Sequence, residues 1–466
     1  MPLKQFTIDF QNIGQQEFLR PNVGYRYFFD IQKGEIYPSR QSIKLKYVLK
    51  EIPAKKVSKG DLEDAEILVD IGNIERRFNN LINLEKVSEI GSDKSILQDG
   101  DIVIPKMQPQ MGNVFLNLEH SRFIGSTELL EYLISENTNP LFLYYLITSK
   151  KFLSDLEKLE SGKTHRRVNP TDLLKIKIPL IPKSKQDQIV AQIEPIERKI
   201  KELKSQIIPA QGIINKVFAR EFRFDLEKFE ELKKIRNYYL DLSAFANNKD
   251  VRQSVKFHRE AGIFIIEQLK KITDKKIKHF IAGPIVLGKG VSPSNYDDNG
   301  DYFYISMANI KNWKFESEDA RLVLKEYSDK NQNKTVCKND ILIARSGEGT
   351  IGKVALIDDE DLQGIFADFT MRIRLQNYNP LFAYYYFRTN YFQYLIEINK
   401  KGLGNNTNIF PSQIQEFPMI DIPLKSQQKI VDEIKGELDK QEEMKQKIET
   451  ERNKIDEIIE KAAQLC

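Results

Sequence analysis

The feature that most constrains this chain is an internal duplication spaced by about half its length. Asp101-Ile-Val-Ile104 recurs as Asp340-Ile-Leu-Ile343, and Gly112-Asn-Val114 as Gly352-Lys-Val354. Asn139-Pro140-Leu141-Phe142 recurs as Asn379-Pro380-Leu381-Phe382. Ile181-Pro182, followed by Gln186 and Ile189-Val190, recurs as Ile422-Pro423, followed by Gln427 and Ile430-Val431. The offset drifts only from 239 to 241 residues, as small loop insertions would produce. A weaker match, Asn73-Ile74 with Asn309-Ile310, extends the repeat upstream. Self-similarity in a fixed order means duplicated architecture, so the fold must be built of two like halves.

Each half changes character midway. Short apolar runs bounded by Gly, Pro, Asn and Asp, such as Ile102-Val-Ile104 and Ile341-Leu-Ile-Ala344, read as strands of a mixed α/β globule. Tyr144-Tyr-Leu-Ile147 and Tyr384-Tyr-Tyr-Phe387, each just after Asn-Pro, read as helix starts. The second part of each half is rich in Lys, Glu and Gln with helical periodicity. Ile189, Ile193, Ile196, Ile200, Leu203 and Ile207 step alternately by four and three, the seam of a helix that packs on another helix. The second copy keeps that register at Ile430, Ile434, Met444 and Ile448, with polar Glu437 and Gln441 on the seam, and continues through polar Glu451 to Ile455, Ile458 and Ala462. Pro195 and its counterpart Gly436 weaken a helix interior, which predicts a short helix followed by a long one of about 27 residues (195–221 and 437–463). Pro209 and Gly212 are expected to bend the first long helix near its end. Two matching seams satisfy each other most simply as an antiparallel pair.

The expected fold is α+β: two α/β globules alternating with two long helical regions paired as an antiparallel coiled coil. The boundaries are a first globule over 1–182, a helical region over 183–224, a linker and second globule over 225–425, and a second helical region over 426–466. Asp225 to Lys234 reads as a helix and 240–257 as irregular; residues 226–271 receive no role.

Composition narrows the function. A formal charge of +4 over 466 residues excludes a uniformly basic coat but leaves room for local basic patches. Two cysteines, Cys337 and Cys466, build neither a disulfide framework nor a thiolate metal site. His120, His165, His258 and His279 have no metal-like spacing. The start, MPLKQFTIDF, lacks the layout of a signal peptide, and no apolar run is long enough to span a bilayer, so a cytoplasmic setting is expected.

In their order and duplication these segments resemble the type I restriction–modification specificity subunits. The likeness runs through Ile341-Leu-Ile-Ala-Arg-Ser-Gly347, Gly352-Lys-Val-Ala-Leu-Ile357, Asn379-Pro-Leu-Phe382, Ile422-Pro-Leu-Lys-Ser-Gln-Gln428 and their first-copy equivalents. Ile214-Asn-Lys-Val-Phe-Ala-Arg-Glu-Phe222 is similar to the family's helix ending. The resemblance implies that the globules are target-recognition domains, each reading one half of a bipartite site in double-stranded DNA. It implies that the helices fix the spacer and dock two methyltransferase subunits, with restriction subunits where a system has them. The chain itself then has no cofactor and no catalytic residue; S-adenosylmethionine belongs to the methyltransferase. The helix length fits independently, since roughly 40 Å at ~1.5 Å per residue exceeds one DNA turn of roughly 34 Å.

Several motifs compete for a chemical role. Gly347-Glu-Gly349-Thr-Ile-Gly352-Lys353 matches part of a phosphate-loop pattern. Val354 stands where Ser or Thr should hold magnesium, however, and Val354-Ala-Leu-Ile357 reads as a return strand, so a hairpin turn is expected. The Asn-Pro-Leu-Phe pair is similar to an adenine methyltransferase loop, but a helix start with Pro in its first turn accounts for it. Candidate DNA contacts are Arg345, Ser346 and Lys353, with Lys106 and Gln108 in the matching stretch of the first copy. Lys163, Thr164, His165, Arg166 and Arg167 form a cluster whose second-copy counterpart is Asn405, Asn406, Thr407 and Asn408. Arg suits guanine edges and Asn suits adenine edges, whereas a charged cluster of this kind is otherwise a solvated loop. Lys44, Lys46, Lys55, Lys56, Lys59, Lys275, Lys276 and Lys278 are weaker cationic candidates. Two other functions stay open from the residues alone: a coiled-coil scaffold that binds no DNA, and a nuclease or nucleotide-dependent enzyme using the Gly347–Lys353 loop.

Overall fold

The computed structural model describes residues 23–37, 41–60, 62, 64–162, 166–241, 243, 255–347, 349–402 and 406–464. The chain forms two compact units, Met1–Gln206 with Met444–Cys466, and Ile207–Glu443.

In the first unit, β1 (Leu49–Glu51), β2 (Ile102–Pro105), β3 (Phe115–Leu116) and β4 (Leu129–Ile134) form an antiparallel sheet of order β1-β4-β2-β3. All four residues of β2 are buried, which is why its sequence is a continuous apolar run without alternation. A five-stranded sheet lies in the same unit and contains one parallel pair, Glu66–Val69 with Phe123–Ser126. Val69, Leu97, Val103, Phe115 and Leu129 share one core cluster. Two helices follow, α1 (Pro140–Ile147) and α2 (Lys150–Glu157), and then α3 (Lys183–Ser205).

The second unit begins with α4 (Ala210–Phe222) and a helix over Leu226–Lys234 whose N-cap is Asp225. Another helix spans Glu260–Ile272. Its antiparallel sheet uses β5 (Val286–Leu287), β6 (Ile341–Ala344), β7 (Val354–Leu356) and β8 (Thr370–Ile373) in the order β5-β8-β6-β7, the connectivity of the first unit repeated. A three-stranded sheet again holds one parallel pair, Tyr302–Ile305 with Gly364–Phe366. After α5 (Pro380–Arg388) and α6 (Asn390–Asn399) comes α7 (Leu424–Gln464). The core of this unit is aromatic: Phe387 stacks on Phe392 with centroids 4.5 Å apart, and Phe224 on Tyr391 at 4.0 Å.

The repeated sequence motifs have repeated structural jobs. Asn139 and Asn379 cap α1 and α5, their side chains accepting from Phe142 N–H and from Leu381 and Phe382 N–H, with Pro in the first turn of each helix. Gln186 Oε1 accepts the Asn139 N–H at 2.7 Å, and Gln427 Oε1 accepts the Asn379 N–H at 2.8 Å. The same glutamines donate to Ile181 O and Ile422 O. The Asn-Pro and Ile-Pro…Gln motifs are thus two sides of one buried joint that fastens each helical region to its globule. The weak Asn73/Asn309 match is equally real: Asn73 Oδ1 accepts from Asp70 N–H and Asn309 Oδ1 from Ser306 N–H, each closing a 3₁₀ turn.

The helical regions run antiparallel. In the first unit Lys199 pairs with Glu451 at 2.6 Å. In the second, Gln441 Oε1 accepts from Ile208 N–H at 2.8 Å and Arg220 pairs with Glu433 at 2.6 Å. Their internal breaks differ from the expectation. Pro195 lies inside α3, which ends only at Ser205, and Gly436 lies inside the uninterrupted α7. Pro195 and Ala191, whose carbonyl loses its donor, both face solvent, where water replaces the bond, while Ile189, Ile193 and Ile200 hold the buried side. Packing on that face outweighs the helix-breaking tendency. The first helical region breaks only at 206–209, where Pro209 was expected to bend it and stands as the N-cap of α4, while Gly212 lies inside α4. The seam also shifts near the end of α7, where Ile459 and Ala463 are buried and Ile458 and Ala462 half-buried. A straight helix of 3.6 residues per turn outruns a seven-residue repeat and carries the contact face forward.

Candidate nucleic-acid interface

The end of the β2 strand and the end of β6 open onto the same backbone network. In the first unit Lys106 N–H donates to Glu128 O at 2.7 Å, and Lys106 O accepts from Val168 N–H at 3.0 Å. In the second, Arg345 N–H donates to Phe369 O at 2.9 Å, and Arg345 O accepts from Ile409 N–H at 2.9 Å. Gln108 N–H reaches Arg166 O as Gly347 N–H reaches Thr407 O. Arg167 exchanges two backbone bonds with Ser161, and Asn408 exchanges two with Lys401. The chain reverses beside these pairs at Gly162 and Gly402, whose φ of 102° and 103° suit glycine alone. Lys106 therefore corresponds to Arg345, Glu128 to Phe369, and Arg167 to Asn408. Sequence comparison could not fix that register because the loops share almost no residues.

The side chains on this shared frame differ. Arg167 makes a forked pair with Glu128, Nε to Oε2 and Nη2 to Oε1, both at 3.0 Å, and the pairing raises its pKa further. Arg166 is more than half exposed and lies 3.9 Å from Glu160, a carboxyl whose pKa is raised mainly by burial. Gln108 is exposed and held at a left-handed φ of 49°, unusual for a residue with a side chain. In the second unit Arg345 Nε donates to Asp368 O at 2.9 Å and Nη1 to Asn408 Oδ1 at 3.4 Å. Its guanidinium lies 5.7 Å from the Phe369 ring and 6.0 Å from the Phe410 ring.

The structure thus gathers Lys106, Gln108, Arg166 and Arg167 at one strand end, and Arg345, Asn406 and Asn408 at its counterpart. Ser346 and Thr407 are also there but turned inward: Ser346 Oγ donates to Thr407 O, and both residues are buried, so they brace the loop. Lys353 is half-buried opposite Ala344 at the start of β7. Lys163, Thr164, His165 and Asn405 lie outside the described residues. The Gly347–Lys353 segment is the turn between antiparallel β6 and β7, where a phosphate loop needs a helix. Of the weaker cations, Lys276 and Lys278 both bond Glu416, holding its carboxyl down at about 2, and Lys55 pairs with Asp99. Glu128 and Phe369 were not legible as site residues, because only the backbone pairing shows that they are equivalent. Among the described residues no group of His, Cys, Asp or Glu could hold a metal ion, and no helix is long and apolar enough to cross a membrane.

The type I restriction modification DNA specificity domain matches this chain twice, over residues 43–210 and 283–454. No curated protein matches it. Among solved structures, a chain from a study of complex assembly and conformational transition in the type I R-M system is 15% identical, covering 92% of this chain and 98% of that one with a TM-score of 0.42. The HsdS subunit of Thermoanaerobacter tengcongensis is 15% identical (91% and 96% covered, TM-score 0.34). The type I S subunit of M. genitalium is 12% identical (91% and 96% covered, TM-score 0.35). With two matches that together span most of its length, the chain belongs to the type I restriction–modification DNA specificity family and carries the family's domain once in each half.

Proposed function

We propose that this protein is the specificity subunit of a type I restriction–modification complex, in which each unit reads one half of a bipartite site in duplex DNA. The observation that carries the reading is one backbone network displayed twice with different side chains: Lys106, Glu128 and Arg167 in one unit, Arg345, Phe369 and Asn408 in the other. A frame kept constant while its outward residues vary is what two readers of different bases require. Arg167 and Arg345 offer planar donors suited to guanine, Asn408 offers the amide pair suited to adenine, and Lys106, Arg166 and Lys353 supply phosphate-directed charge.

The helical regions set the gap between half-sites and dock two methyltransferase subunits. S-adenosylmethionine and the methyl-transfer chemistry reside on those partners, restriction subunits join where the system has them, and this chain contributes no catalytic group. A modified-base map of DNA from cells expressing the chain with its methyltransferase tests the reading, with each protein omitted in turn as a control. Methyladenine at a two-part motif with a fixed gap, dependent on both proteins, is the expected result. No new modification and no salt-sensitive DNA binding from a soluble complex would point instead to a scaffold.

A further inference from the structure

Phe369 and Phe410 are 44% and 40% exposed, two aromatic rings left in water beside Arg345. Their first-unit counterparts are Glu128 and Asn169, both polar: Val168 and Ile409 make the same backbone bond, so Asn169-Pro170 aligns with Phe410-Pro411. Asn169 caps the short helix Pro170–Leu173, its side chain accepting from Thr171 N–H. Phe410 stands at the same position before Pro411–Ile414 and cannot accept, so the second helix lacks a stabilising side-chain cap. Gln413 repairs the corner only in part, its side chain accepting from Phe410 N–H. The second unit thus keeps an exposed ring where folding favours a polar residue.

We infer that Phe369 and Phe410 are specificity-determining residues of the second unit, which contact the 5-methyl group of a thymine in the major groove beside the base read by Arg345. The inference rests on the proposed reading of that unit as a half-site reader. The neighbouring charge fits duplex DNA: Arg345 lies 5.7 Å from one ring and 6.0 Å from the other, Lys353 stands in the turn opposite Ala344, and exposed Lys401 pairs through its backbone with Asn408. Two bonds from the Arg345 guanidinium, to Asp368 O and Asn408 Oδ1, fix its plane within 6.0 Å of both ring centroids. Apolar contact with the thymine methyl is the feature by which an aromatic side chain tells T·A from the other pairs.

Replacing thymine by uracil removes that methyl and nothing else. With the mapped site in hand, binding of the intact complex to duplexes carrying one dT→dU change at a time in the second half-site provides the test. The wild type should lose about fourfold in affinity at one thymine or more, the factor of burying one methyl-sized group. Phe369→Ala or Phe410→Asn should bind dT and dU duplexes equally at that position. Phe410→Asn restores the first unit's capping residue, which protects the fold while removing the ring. A wild-type complex indifferent to uracil at every position, a half-site without thymine in either strand, or variants with undiminished uracil sensitivity would each overturn the inference. A wild-type complex with no sequence preference at all would overturn the half-site reading beneath it.

Discussion

Arg167 and Asn408 exchange the same pair of backbone hydrogen bonds, with Ser161 and Lys401 respectively, yet one ends in a guanidinium held by Glu128 and the other in an amide beside Arg345. At this scale the invariant chemistry belongs to residues that never touch a ligand. Gln186 and Gln427, themselves buried, each satisfy one carbonyl and one N–H of a joint largely withdrawn from water. Gln186→Leu or Gln427→Leu should therefore destabilise its unit by about 1–3 kcal/mol, the cost of stranding buried polar groups. Thermal unfolding of the complex measures this, and a Gln186→Leu protein as stable as wild type would contradict the joint. These glutamines were visible in the sequence as part of a repeated motif, but their job was not. It appears only when Asn139 and Asn379, nearly fifty residues upstream, come to lie against them. The basic and amide candidates were legible by type, whereas Glu128 and Phe369 were not, since neither belongs to a cluster along the chain.

Among the elements, the strand pairs and the helix seam were legible because each rests on a local pattern. A buried apolar run gives β2 and β6, and Asn-Pro before aromatic residues gives α1 and α5. Helix continuity was misjudged because Pro195 and Gly436 act through exposed backbone, while the decision lies with the buried side of the helix. Least legible is Arg452, which the seam pattern places off the contact face. It is fully buried in the first unit, Nε donating to Arg77 O at 3.1 Å and Nη2 to Thr148 Oγ1 at 3.0 Å, beside Asp456. Burial lowers its pKa, and the charged form persists because Asp456 lies opposite. A charge paired this deep is needed mainly because its partner is there. Arg452→Met should leave Asp456 short of one cation and destabilise the first unit by about 3 kcal/mol. Amide hydrogen exchange should show faster opening around Thr148 and α2, with the second unit unchanged. Unaltered protection there would show that the arginine is not structural.

For the whole molecule, duplication is the organising fact, and it was legible from the first short matches. The partition was less so, because the helical segments are shared out unlike their order in the chain: α3 belongs with residues 444–466, and α4 with the start of α7. Sequence order implies globule, helix, globule, helix, whereas each compact unit closes its globule with one segment from each helical region. If these regions set the gap between half-sites, removing one opposed heptad from each should shorten it. A heptad keeps the seam in register and removes about 10 Å of helix, so the gap should fall by about three base pairs. An unchanged gap from a stable complex would separate the helices from spacing. Whether each unit reads its own half through the same position is measured by a modified-base map of two variants, Arg167→Ala and Asn408→Ala, each expressed with the methyltransferase. Arg167→Ala should relax or change one half of the motif only, and Asn408→Ala the other half only, with the gap constant. Stable complexes in which either substitution alters both halves, or in which neither alters any base, would contradict it.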